Sequence, residues 1–128
     1  MIFADDVVAY ICDKVLKDAA LDVFYLVTLN PNGISKIDIL KEYQNRMGLQ
    51  LSPDKLSQKY RSTVEEGIAV LLGTTFIDYY PDGTSFKYFL TDNGKLVIPK
   101  MGRILKENPD LVKTSNIIAK IMEGETKQ

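Results

Sequence analysis

The chain has 128 residues, 45% of them hydrophobic and 26% charged, and carries a formal net charge of −1. That balance fits one domain with a real core, and it argues against a protein that coats nucleic acid non-specifically, because such binding needs many cations to displace counterions from phosphates. Cys12 is the single cysteine and histidine is absent, so no intrachain disulfide, no metal site and no cofactor is expected.

Asp5 and Asp6 stand where a signal peptide would carry positive charge, and the longest apolar runs, residues 7–12 and 68–72, are too short to span a bilayer. A cytoplasmic protein with no membrane partner is expected. Residues 5–19 place Val7, Val8, Ile11, Cys12, Val15 and Leu16 at helical spacing, and a second apolar helix over 21–29 ends at Asn30-Pro31-Asn32-Gly33. Whether these are one helix or two is open. Ser35 then reads as an N-cap with Asp38 three residues on, and Ile34 and Ile39 have the spacing of a hydrophobic staple. This helix runs to about Met47 and stops at Gly48.

Ser52 and Pro53 announce a third helix, as N-cap and first helical residue. Leu56, Tyr60, Val64, Gly67 and Leu71 form its buried stripe, and an end at Gly73 is favoured over one at Gly67. Residues 75–80 and 85–91 read as two strands around the turn Pro81-Asp82-Gly83-Thr84. A further helix opens at residues 91–95 and is interrupted by Pro99. A last amphipathic segment, residues 110–122, carries Leu111, Val112, Ile117, Ile118, Ile121 and Met122, and the tail beyond it is polar.

Charge is distributed unevenly along these elements. Residues 1–32 hold Lys14 and Lys17 against Asp5, Asp6, Asp13, Asp18 and Asp22, a net of −3. Residues 33–62 hold Lys36, Lys41, Arg46, Lys55, Lys59 and Arg61 against Asp38, Glu42 and Asp54, a net of +3. The bland reading is that both sets solvate helix faces; if any segment meets phosphate, it is the second.

The stretch from Phe86 to Lys95 resembles the second wing strand of bacterial winged-helix regulators of the MarR and PadR groups. Tyr88, Leu90, Thr91 and Gly94 fill the fixed positions of their Tyr-x-Leu-Thr-x-x-Gly run, and Val64-Glu65-Glu66-Gly67-Ile68 is similar to the end of their recognition helix. The resemblance covers about 80 residues. It implies an α+β, mainly helical fold: a winged helix-turn-helix core over 21–98 with a two-stranded wing, an N-terminal helix within 1–20, a helical extension over 99–123 and a tail over 124–128. Two departures stand out. Residues 68–72 replace the strand usual after the glycine, and residues 48–52 are slightly longer than a simple helix-turn-helix turn.

Such a fold implies a small transcriptional regulator that binds double-stranded DNA with the helix starting at Pro53 in the major groove. Gln58 can pair with adenine, Ser62 can reach either base type, and Lys55, Lys59 and Arg61 can hold phosphates or guanine. Lys36 belongs to the same basic segment, and Lys87 and Thr84 would form the wing. The resemblance also implies a homodimer through terminal helices, with 5–19 and 110–122 as candidates.

No enzyme is expected: histidine is missing, Cys12 sits in an apolar stripe, and the pairs Asp5/Asp6 and Glu65/Glu66 diverge by about 100° on a helix. The alternative function is a protein-interaction module that presents the aromatic hairpin, Phe76, Tyr79, Tyr80, Phe86 and Tyr88.

Overall fold

The computed structural model describes residues 2–107, 109–110, 115 and 117–118. Its elements in chain order are α1 (Asp5–Lys14), α2 (Asp18–Thr28), β1 (Ile34–Ser35), α3 (Lys36–Met47), α4 (Pro53–Gly73), β2 (Ile77–Asp82), β3 (Ser85–Leu90) and α5 (Asp92–Glu107). The fold is therefore α+β and mainly helical, with one small antiparallel sheet of strand order β1-β3-β2.

Residues 5–19 are two elements. α1 ends at Lys14, and Asp18, at φ +55°, turns the chain into α2. The boundary expected between residues 20 and 21 thus falls inside α2. Ala20, Leu21, Val23, Phe24, Leu26 and Val27 are all buried along α2, which makes it the central helix, packed on α4. The two approach closely at Gly67, where a Cβ would lie 2.7 Å from Val23 Cγ2 and 2.8 Å from the Ala19 carbonyl oxygen. That contact explains why Gly67 lies inside α4 and the helix continues to Gly73, as the apolar run 68–72 suggested.

Both serine N-caps expected from the sequence are formed. Ser35 Oγ accepts from the Asp38 N–H at 3.2 Å, and Ser52 Oγ accepts from the Lys55 N–H at 3.4 Å. Each satisfies one of the N–H groups that a helix start leaves without an intrahelical partner. Ile34 and Ile39 are both buried. Gly48 ends α3 in the left-handed conformation, φ +72°.

Strand β1 is absent from the sequence reading. Its two residues carry the staple and the cap, and they also pair with β3, Ile34 with Tyr88 and Ser35 with Lys87. A two-residue strand has no period to detect. The hairpin has a tighter turn than expected: Asp82 pairs with Ser85, so Pro81 and Asp82 belong to β2 and only Gly83 and Thr84 form the loop. Gly83 has φ +64°, as the first position of a II′ turn requires. Pro81 is tolerated because β2 is an edge strand, where a missing N–H need not break a ladder.

Pro99 does not interrupt the last described helix. α5 runs through it to Glu107, crossing the 98/99 boundary at which a separate extension was expected. Pro99 is exposed, so water can satisfy the carbonyl it leaves unbonded, which is the less costly side of a helix for a proline. The start of α5 is fixed by a polar cluster. Thr91 Oγ1 accepts from the Gly94 N–H at 3.1 Å, Asn93 Oδ1 accepts from the Phe3 N–H at 2.8 Å, and Asn93 Nδ2 donates to Thr75 Oγ1 at 3.1 Å. Thr75 itself has φ +66°, a strained value for a β-branched residue, and its carbonyl accepts from Thr91 Oγ1.

Of the segment 110–122, Asp110, Ser115, Ile117 and Ile118 are described; Leu111, Val112, Ile121 and Met122 lie outside the described residues. Ile117 and Ile118 are buried in the core. Their attachment centres on Asp22, a fully buried carboxylate on α2. It accepts from Tyr43 Oη of α3 at 3.1 Å, from the Ile117 N–H at 3.1 Å and from Ser115 Oγ. Ser115 Oγ in turn accepts from the Ile118 N–H at 2.9 Å.

The apolar stripe of α1 also finds its partner inside the chain. Val8, Cys12 and Leu16 are buried, and α1 packs against α5. The buried side of the stripe, Val8, Cys12 and Leu16, is thus taken up within the chain, while Val7 and Val15 of the same segment stay exposed. Burial pushes the Cys12 thiol up to about 11, with the Lys100 charge acting in the opposite direction, so Cys12 remains a protonated core residue at neutral pH. Among the described residues no helix is long and apolar enough to cross a membrane.

Candidate nucleic-acid interface

The geometry of α4 follows from its sequence. Leu56, Val64, Gly67, Ile68 and Leu71 turn inward, and at about 100° per residue this sends Lys55, Gln58 and Ser62 to the opposite side. All three are exposed, and so are Lys59 and Arg61 on the two flanks of that face. Ser52 and Pro53 hold the first turn, so the residues with hydrogen-bonding and cationic ends lie near a capped, regular N-terminus.

The structure separates the cations into two groups. Lys36, from the start of α3, and Arg61 converge on one carboxylate: Lys36 Nζ is 2.9 Å and Arg61 Nε 2.8 Å from Glu65 Oε1. The two cations hold the Glu65 carboxyl below its ordinary value of 4.5, Arg61 first and Lys36 second, through their hydrogen bonds. Glu65 therefore does not merely crowd the face with negative charge; it occupies two of the cations assigned to phosphate. By contrast, Lys55 and Lys59 make no ion pair among the described residues, although Lys59 Nζ sits 5.4 Å from the centre of the Tyr60 ring, a cation–π contact. The Arg61–Glu65 pair was legible as an i,i+4 spacing. The Lys36–Glu65 pair, 29 residues apart, needed the packing of α3 on α4.

The hairpin places its two candidates differently. Thr84 is exposed at the tip. Lys87 is only partly exposed, 3.9 Å from Asp82, because its strand position packs it beside Gly33, whose added Cβ would meet Lys87 Cβ at 3.0 Å. Lys87 is thus a weaker phosphate contact than its position in the sequence suggests.

The aromatic surface is also smaller than expected. Phe76 is completely buried and belongs to the core, since it lies in the junction that leads from α4 into β2. Strand alternation puts Tyr79 and Tyr80 on opposite faces. Tyr80 is held by its hydroxyl donating to the Asn32 carbonyl at 2.8 Å and by Phe89, 5.9 Å between rings. On the other face Tyr79 meets Phe86 edge-on at 5.1 Å and Tyr88 at 6.2 Å. Tyr79 and Phe86 remain about half exposed, 49% and 50%.

Among the described residues no group of three His, Cys, Asp or Glu side chains could hold a metal ion. A scan against protein-family models, a search of curated proteins and a search of solved structures each returned no match for this chain.

Proposed function

We propose that the chain is a winged helix-turn-helix regulator that binds double-stranded DNA sequence-specifically, with α4 as the recognition helix and the β2–β3 hairpin as the wing. The element order α2-β1-α3-α4-β2-β3 and the sheet order β1-β3-β2 suit this architecture. The observation that carries it is the outward face of α4: Lys55, Gln58, Lys59 and Ser62 are exposed together over the first turns of a capped helix. A helix of this kind fits the major groove, where Gln58 can pair with adenine and the two lysines can take phosphate or guanine. Lys36 of α3, held by Glu65 at 2.9 Å, adds a backbone contact in this reading only when that pair opens. Two copies pair in this reading, because one such module reads only a short half-site.

Alanine at Lys55 and Lys59 together is expected to weaken binding to a mixed-sequence duplex about tenfold or more, with the fold intact. Fluorescence anisotropy with a labelled duplex checks this, and circular dichroism checks the fold. Unchanged affinity would remove α4 from the interface. Gln58→Ala is expected to relax sequence preference in a selection from random duplexes.

The Glu65 ion pairs give a prediction of opposite sign. Glu65→Gln releases Lys36 and Arg61 and removes a negative charge, so duplex affinity is expected to rise about two- to fivefold. The same logic sets the pH dependence. Because the folded carboxyl titrates below 4.5, Glu65 favours the folded state above that value, and this contribution is lost as pH falls through the lower folded value. Duplex affinity should therefore show no Glu65-linked change between pH 6 and 8.

A second reading, a protein-interaction module, is favoured by one observation: Tyr79 and Phe86 stay half exposed on a hairpin flanked by Asp78 and Asp82. Under that reading Tyr79→Ala and Phe86→Ala abolish partner binding, and duplex affinity is absent at any salt.

A further inference from the structure

Two surface patches carry complementary features. Among the described residues Tyr10 and Ile37 are the most exposed large apolar side chains, at 65% and 61%. Tyr10 lies on α1 about 160° round the helix from both Val8 and Cys12, hence directly away from the core. Val7 is exposed beside it, and Asp6 and Asp13 flank it at i−4 and i+3, both exposed, Asp13 in a solvent-exposed pair 3.5 Å from Lys14. This is a small apolar strip edged with acid, in the segment whose net charge is −3.

Ile37 stands at the edge of a groove between α3 and α4. The groove has a volume of about 480 Å³, and its walls include Leu40, Leu51 and Leu56, with Lys41 at its margin. Lys41 is exposed and has no ion pair among the described residues. Of the described residues that line the groove, Lys41 alone is charged. Long, exposed apolar side chains at helical spacing beside charge are the usual anchors of a helix in a groove.

We infer that two copies of this chain associate reciprocally, the outer face of α1 of each, with Tyr10, Val7, Asp6 and Asp13, lying in the α3–α4 groove of the other against Ile37 and Lys41. A two-fold pair makes each contact twice, which doubles the apolar area covered and pairs acid with base at both ends. The occupant is a second copy because the chain itself supplies the matching strip. The groove also leaves the proposed DNA face open: Ser57, on the groove wall, is about 160° round α4 from Lys55. The inference rests on the reading of a paired protein and does not depend on DNA contact.

Charge reversal on the full chain tests it by sedimentation equilibrium. The wild type is expected to dimerise, more tightly at low salt. Ile37→Glu, Lys41→Glu and the double variant Asp6→Lys/Asp13→Lys are each expected to raise the dimer dissociation constant about tenfold or more, since each sets like charges or a buried charge at both contacts. An equimolar mixture of Lys41→Glu with Asp6→Lys/Asp13→Lys is expected to recover association, because reversed groove meets reversed helix at one contact and native meets native at the other. All these positions are exposed, and circular dichroism verifies each fold. A wild type that stays monomeric at millimolar concentration, a dimer indifferent to Ile37→Glu, or a mixture that stays monomeric overturns the inference. None of these results bears on duplex affinity through Lys55 and Lys59, so the two proposals fail separately.

Discussion

Gly94→Ala is expected to destabilise the fold by roughly 3 kcal/mol or more, read as a lowered urea midpoint without a change in slope. An added Cβ would lie 2.1 Å from the Phe76 carbonyl oxygen and 3.1 Å from Leu90 Cδ2. The first neighbour is backbone, locked where α4 passes into β2, so it cannot yield as a flexible side chain would. α5 would have to lift from the sheet and loosen the Thr91, Asn93 and Thr75 hydrogen bonds. Gly102 is the control on the same helix. Nothing lies within 4 Å of its added Cβ, so Gly102→Ala is expected to stabilise by about 0.5–1 kcal/mol through helix propensity and the unfolded chain. Equal effects at the two positions would contradict the packing described for the start of α5.

Asp22→Ala is expected to cost about 3 kcal/mol or more. Its carboxylate gathers donors from Tyr43 of α3 and from Ser115 and Ile117 into one buried point, and its removal leaves Tyr43 Oη, Ser115 Oγ and the Ile117 N–H without that acceptor. Each such buried group costs about 1–3 kcal/mol when left unmade. Tyr43→Phe removes only one donor and is expected to cost about 1 kcal/mol. The double variant should fall short of the sum of the two, because both break the same bond. Thermal unfolding measures all three; strict additivity would show that Tyr43 and Asp22 are not coupled.

These two residues also show how much of the fold could be read from the chain. Gly94 was legible as the end of Tyr-x-Leu-Thr-x-x-Gly, but the reason for a glycine there, the Phe76 carbonyl, is a contact between distant elements. Asp22 looked like one more acid of the N-terminal segment. Its burial depends on Tyr43 and Ser115 arriving from elsewhere, which no local period encodes. Signals whose physics is local were readable: the Ser35 and Ser52 caps, the Gly48 stop, the inward stripe of α4 and the two hairpin strands. Pro99 misled because propensity describes an isolated helix, whereas α5 is held by its packing and turns the proline to solvent.

The candidate site divides along the same line. Exposure of Lys55, Gln58, Lys59, Arg61 and Ser62 follows from helix period alone. The capture of Lys36 and Arg61 by Glu65, and the partial burial of Lys87, arise from α3 packing on α4 and from strand alternation beside Gly33. Three of the eight residues first assigned to DNA are thus engaged within the protein. The phosphate contact then rests mainly on Lys55 and Lys59.

Salt dependence of duplex binding is the most direct test of the central claim, since each phosphate neutralised by a cation adds about −0.9 to the slope of log affinity against log salt. The wild type is expected to bind a mixed-sequence duplex with a steep negative slope, and the Lys55→Ala/Lys59→Ala variant with a slope shallower by about 2. No binding by the wild type at low salt, or an identical slope for the variant, would contradict the assignment of α4 to the DNA.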